Sequence, residues 1–247
     1  MRKILFILGL LFLVNNAFPA ENRKLENKVL MMKVLNQLGL KEKDINEELY
    51  AEKVLPYSKS QTVMVIPKYR KIEKDEYGNS SFDLDAYVIL ADNSTGKILY
   101  KYYEENAWTS DAVVLSSIII DTGLYNLNNE TRAFGIRVSY TGSSRPNPFS
   151  QTDLSLFIVE KKSLKRVLKN YTLSDAHGEW DMNCAGEFES MEAVIDMDAN
   201  KTNGFKNLSI KETTVYTKNI PVKEDCIEKK STKRTTKKLK YNGIAYK

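Results

Sequence analysis

The residues of this chain best suited to chemistry are carboxylates and amides crowded between Ile195 and Ile210, in IDMDANKTNGFKNLSI. Asp196, Asp198 and Asn200 fall at alternate positions, Asn203-Gly204 offers a sharp bend, and Asn207 precedes the apolar Leu208. Calcium takes about six to eight hard oxygen ligands in flexible geometry, and a tight loop that turns alternate side chains inward can supply them. The same residues suit a polar turn between two strands, because Asn-Gly readily adopts positive φ. With so few carboxylates in the set, any calcium held here is held weakly.

A second cluster could cut glycans. Glu179 and Asp181, then Glu187 and Glu189, lie two residues apart, and paired carboxylates cleave glycosidic bonds when held roughly 5–9 Å apart with one of them kept protonated. Acids spaced in this way also suit a solvated strand face, which is the expectation adopted. The single histidine, His177, lies in the turn-like SDAHGEWD with no partner set suggested around it. Phosphate loops, nucleophile elbows and zinc-protease helices are absent from the sequence. No catalytic residue is therefore predicted, and the chain reads as a binding protein.

The expected recognition element is TGSSRPNPFS, Thr141 to Ser150. Pro146 and Pro148 stiffen it, which lowers the entropy lost on binding. Arg145 could fork onto a carboxylate, Asn147 lies between the prolines, and Phe149 could enter a cleft. A long hairpin loop with Phe149 folded back on its own sheet is the alternative. The Lys-rich KEDCIEKKSTKRTTKKLK reads as a solvated loop, or as a contact for an anionic surface.

The leader bears on the compartment. MRK followed by the apolar Ile4–Val14 and the small residues of NNAFPA reads as an export signal over residues 1–20, the alternative being an uncleaved anchor. The protein is expected in the periplasm or outside the cell, with no transmembrane segment in its mature part. In an oxidising compartment Cys184 and Cys226, the only two cysteines, are expected to pair. Such a bridge closes a loop of about 40 residues, rated at roughly 3–4 kcal/mol. A net charge of +5 is too modest to call for a nucleic-acid partner, and 42% apolar with 28% charged residues describes an ordinary globular chain.

Positioning these groups falls to strands. Helical spacing of Leu25, Val29, Met32 and Leu35, a capping box at Asp44 and Glu47, and Pro56 as a stop predict one or two helices over 21–56. From residue 57 to 247 the texture is β. In AFGIRVSY, Phe134, Ile136, Val138 and Tyr140 alternate with small and polar residues. FDLDAYVILADNSTGKILYKY aligns with TDLSLFIVEKKSLKRVLKNY, and a third, weaker copy starts at Asn207. Repeated antiparallel units imply a propeller-like, incomplete or layered architecture, with a β-sandwich as the alternative.

At Asp196–Leu208 the sequence resembles the Asp-rich turns of FG-GAP-type β-propeller blades. Asp196 and Asp198 match the leading acidic positions, Asn203-Gly204 the Asp-Gly, and Asn207-Leu208 the Asp-Leu before a strand. Extra residues follow Asp198, and two of the expected carboxylates are Asn. From about Gln61 onward, with GEWDMNCAGEFE included, the chain is similar to small exported bacterial proteins that bind calcium and inhibit peptidoglycan-cleaving toxins. That resemblance implies an immunity protein whose partner is a peptidoglycan hydrolase. The other expectations are a carboxylate-dependent glycan hydrolase and a structural envelope protein that holds an anionic polymer.

Overall fold

The computed structural model describes residues 20–76, 78 and 80–247. The leader read over 1–20 lies outside them except for Ala20, where the first helix begins.

Helix α1, Ala20–Leu38, ends at Gly39, whose φ of 70° suits a residue without Cβ. Leu40 N–H donates to Leu35 O and Gly39 N–H to Asn36 O, the two bonds of a Schellman cap. The buried stripe is Met31, Val34 and Leu35, whereas Val29 is half exposed, so the packed face is rotated from the one expected.

The second expected helix does not form. Glu42–Asp44 is a single 3-10 turn, and Ala51–Leu55 is a strand, β1. Lys41 N–H donates to Asp44, and Leu49 N–H donates to Asn46 Oδ1, so Asp44 closes a local turn and does not open a helix. Pairing of β1 with the following strand overrides the modest helical preference of AEKVL. The boundary drawn at 56/57 thus falls inside a hairpin.

The remaining strands are β2 Ser58–Lys74, β3 Ser80–Asp92, β4 Ile98–Ser110, β5 Val113–Asp121, β6 Phe134–Gly142, β7 Phe149–Glu160, β8 Ser163–Trp180, β9 Gly186–Thr202, β10 Phe205–Val222 and β11 Asp225–Leu239. They form two open antiparallel sheets, ordered β1-β2-β3-β4 and β11-β10-β9-β8-β7-β6-β5. The architecture is mainly β and sandwich-like. The expected propeller is corrected, because the strands run as two uninterrupted meanders with no radially repeated blades.

Burial explains the apolar runs. Val63, Val65, Ala86, Val88 and Leu90 face the second sheet, where they meet Leu115, Ile118, Ile120, Phe134, Ile136, Val138 and Phe157. The alternate residues Met64, Ile66, Ile89 and Ala91 face α1. A strand covered on both faces has no solvent side, so VMVI and VILA are continuously apolar. Pro67 sits past the end of β1, and its carbonyl accepts from Asn46 N–H. The donor that proline lacks is therefore not needed for a ladder.

The two aligned segments form one hairpin in each sheet, β3-β4 and β7-β8. They meet where Tyr102 packs edge-on against Phe157 and Arg166 pairs with Glu104 through its two terminal guanidinium nitrogens. Burial raises the Glu104 pKa, but Arg166 and Lys169 more than offset this and hold it below the usual carboxylate range.

A second core gathers Leu154, Leu156, Ile158, Val167 and Leu168 with Ile195, Leu208 and Ile210. Tyr125, Leu127, Tyr241 and Tyr246, from outside the strands, complete it. The C-terminal segment leaves the sheet after Leu239 and turns at Gly243, where φ is 93°. It is tied down by Tyr246 N–H donating to Val167 O and Tyr246 Oη–H to Lys206 O.

Candidate binding surface

The last strands outgrow the cores. β8 and β9 pair only from Ser174 with Glu192 to Trp180 with Gly186. None of the hydrophobic clusters includes a residue of 174–192 or 211–238; Cys184 is buried there but belongs to none of them. In this outer part of the sheet, Lys211 to Val222 alone reaches about 40 Å at strand rise. It is held by backbone ladders, by scattered polar side-chain contacts and by one covalent tie.

That tie is the disulfide Cys184–Cys226, with Cα atoms 5.7 Å apart. The local sequence sets it up. Asp181 Oδ1 accepts from Asn183 N–H and Cys184 N–H, and Met182 takes φ 67°, so Asp181-Met182-Asn183 folds into a tight turn. Those backbone donors hold the Asp181 carboxyl below its ordinary range. The turn presents Cys184 to the start of β11, across the intervening β10.

Register then assembles a charged face. His177, Glu189, Tyr216 and Ser231 stand opposite one another on successive strands, and so do Glu179, Glu187, Lys218 and Lys229. Directly opposed residues in an antiparallel ladder share a face. These side chains line an open groove of about 680 Å³, with Asn147 beside the β8 bank. The β8 and β9 bank carries the glutamates, and the β10 and β11 bank carries the lysines. Glu187 pairs with Lys218, and His177 Nδ1 lies 2.7 Å from Asp175 Oδ1, with Nε2 4.0 Å from Glu189 Oε2. Tyr216 is 40% exposed. A Cβ at Gly178 would lie 2.3 Å from the Phe188 ring, and one at Gly186 would lie 2.4 Å from Trp180 Cβ. Both glycines therefore admit aromatic rings close to the backbone.

The RPNP loop forms a rim of this groove. Pro146 O and Pro148 O accept from Trp180 N–H and Gly178 N–H, and Trp180 Nε1–H donates to Arg145 O at 2.7 Å. Asn147 N–H donates to Ser144 Oγ. Phe149 is not at a loop tip. It is the first residue of β7, opposite His177, and only partly exposed.

The Asp-rich stretch is strand and hairpin. Asp196, Asp198 and Asn200 lie within β9, and Asn203-Gly204, with φ 49° and 85°, makes the turn to β10. Each candidate ligand has its own partner. Asp196 pairs with Lys211 at 2.6 Å and Asp198 with Lys238 at 2.8 Å. Asn200 N–H donates to Asp198 Oδ1, Asn203 Nδ2–H donates to Tyr241 O, and Asn207 Oδ1 accepts from Thr202. Lys238, aided by Asn200, holds the Asp198 carboxyl below its usual range. Among the described residues no three His, Cys, Asp or Glu side chains converge as a metal site.

Sequence reasoning treated the Lys-rich tail as a loop and missed Tyr216, Lys218 and Lys229 as groove residues. Their alternation along SIKETTVYTK and CIEKKSTK was the available signal. No known protein family, characterised protein or solved structure shows significant similarity to this chain. No helix among the described residues is long and apolar enough to cross a membrane.

Proposed function

We propose that this chain is an exported, non-enzymatic binding protein that engages a protein partner with the outer face of β8 to β11. The observation that carries this reading is a long sheet extension outside every hydrophobic cluster, yet braced by the disulfide. Strands without a core add little to stability, and an ordered, pre-braced surface loses less entropy on association. An exposed tyrosine between opposite charges is a common anchor chemistry for protein contacts. A glycan hydrolase is the poorer reading, because Glu187 is 72% exposed and Glu189 38% exposed, whereas glycosidic cleavage needs a sheltered acid. A peptidoglycan hydrolase as the partner rests on the sequence resemblance alone.

The test is site-specific photocrosslinking in the native envelope. A benzophenone side chain at Tyr216 should yield a discrete adduct, and one at Ile72, exposed in the other sheet, should not. Equal yields at both sites, or none at Tyr216, would refute the assignment. The purified chain should also inhibit the captured enzyme when that enzyme cleaves peptidoglycan.

A further inference from the structure

We propose that the free edge of β11 is a docking strand for an extended, acidic peptide segment of the partner, which adds to the sheet beside it. This inference rests on the outer sheet being the contact surface.

Three observations carry it. First, β11 ends its sheet, and β10 is its only sheet neighbour among the described residues. Every residue from Asp225 to Arg234 is exposed, so the outer ladder groups of the strand face water. Second, cations flank that edge on both faces. Lys229 and Lys233 lie on one, Lys230 and Arg234 on the other. Third, the sheet itself does not neutralise them. Their opposite residues on β10 are Lys218, Thr214, Thr217 and Thr213 respectively. Among the described residues Lys229, Lys233 and Arg234 have no ion pair, and Lys230 has only Glu228 on its own strand. Lys229 stands directly opposite Lys218, whose charge is already matched by Glu187, so no acidic group of β10 answers Lys229.

Charged side chains, lysine above all, stop an edge from pairing with its own kind. Four on both faces exclude a second copy of β11, whose charges match, and favour a strand with acidic side chains on both of its faces. A peptide also supplies donors and acceptors to the open ladder, whereas a polyphosphate supplies acceptors alone.

Fluorescence anisotropy tests this with the full, disulfide-bonded chain. The probe is a labelled 12-residue peptide alternating Glu with Thr and Val. Comparison probes are the same peptide N-methylated at alternate amides and a polyphosphate of equal charge. We expect the acidic peptide to bind. Its affinity should fall at least about tenfold in the K229Q/K230Q/K233Q/R234Q variant, since several exposed ion pairs are lost together. N-methylation should weaken it comparably. Equal binding of the N-methylated peptide, equal binding by the variant, or polyphosphate binding as tight as the peptide would each overturn the proposal. These substitutions lie on an exposed edge, and circular dichroism of the variant should match that of the parent chain. A Tyr216 adduct that persists while the peptide fails to bind removes this inference and leaves the contact surface standing, whereas loss of the adduct in the parent chain removes the contact surface itself.

Discussion

Removing the disulfide with C184A/C226A should loosen the outer sheet selectively. The cysteines are 42 residues apart, and β9 and β10 lie wholly within the closed loop. Chain entropy for a loop of that length gives about 4 kcal/mol. For a chain of this size each kcal/mol moves the melting midpoint by about 2–4 °C, so the midpoint should fall by about 8–16 °C. The effect should also be uneven. The inner halves of β9 and β10 keep Ile195, Leu208 and Ile210 in the second core, while the outer halves have ladder bonds and solvent-facing pairs such as Glu187–Lys218. Hydrogen exchange should therefore quicken most over 213–222 and 225–234, which open locally, and least in β2 and β3, where Val63, Val65, Val88 and Ile89 are fully covered and exchange follows global unfolding. Calorimetry supplies the midpoint and exchange mass spectrometry the map. A midpoint shift below about 3 °C with an unchanged exchange map would show that the ladders alone hold the outer sheet, and that the bridge is not its restraint.

Acid should destabilise the protein through carboxylates buried at its joints. In Asp85, burial raises the pKa, but Asn106 N–H, Lys68 and Tyr103 more than offset it, and the folded value lies below the unfolded one. In Asp121 the same balance involves Gly123 N–H, Arg137 and Tyr125, and in Glu212 it involves Lys237, Tyr171 and Thr235. Groups with depressed pKa contribute stability above the unfolded pKa of about 4 and lose it as pH falls through the folded one. The midpoint should thus be flat from pH 7 to about 5 and drop as pH falls below about 4, with a shallower drop in D85N; an equal slope in D85N would refute the role of Asp85. Calcium at millimolar concentration should raise the midpoint by less than about 1 °C against chelator, because Asp196 and Asp198 already pair with lysines. A rise of several degrees would mean that the ion displaces Lys211 and Lys238.

The sequence by itself determined what local chemistry decides. Period-two alternation located β6, Asn203-Gly204 specified a tight bend, and Gly39 ended α1. Two cysteines in a chain read as exported were enough to expect the bridge that forms. Tertiary structure decided the rest, because strand pairing joins residues far apart and leaves no local trace. AEKVL became β1 only because β2 offered a ladder, and the Lys-rich tail became β11 only because β10 did. β5 has no clean alternation, because a bulge between Leu115 and Ser117 shifts the register, yet its Leu115, Ile118 and Ile120 close the first core. Likewise, no spacing in the chain announces that Glu187, Tyr216 and Lys229 share one face. Their neighbourhood exists only in the register of four strands, and register is settled by the hydrophobic faces and turns of the whole sheet together.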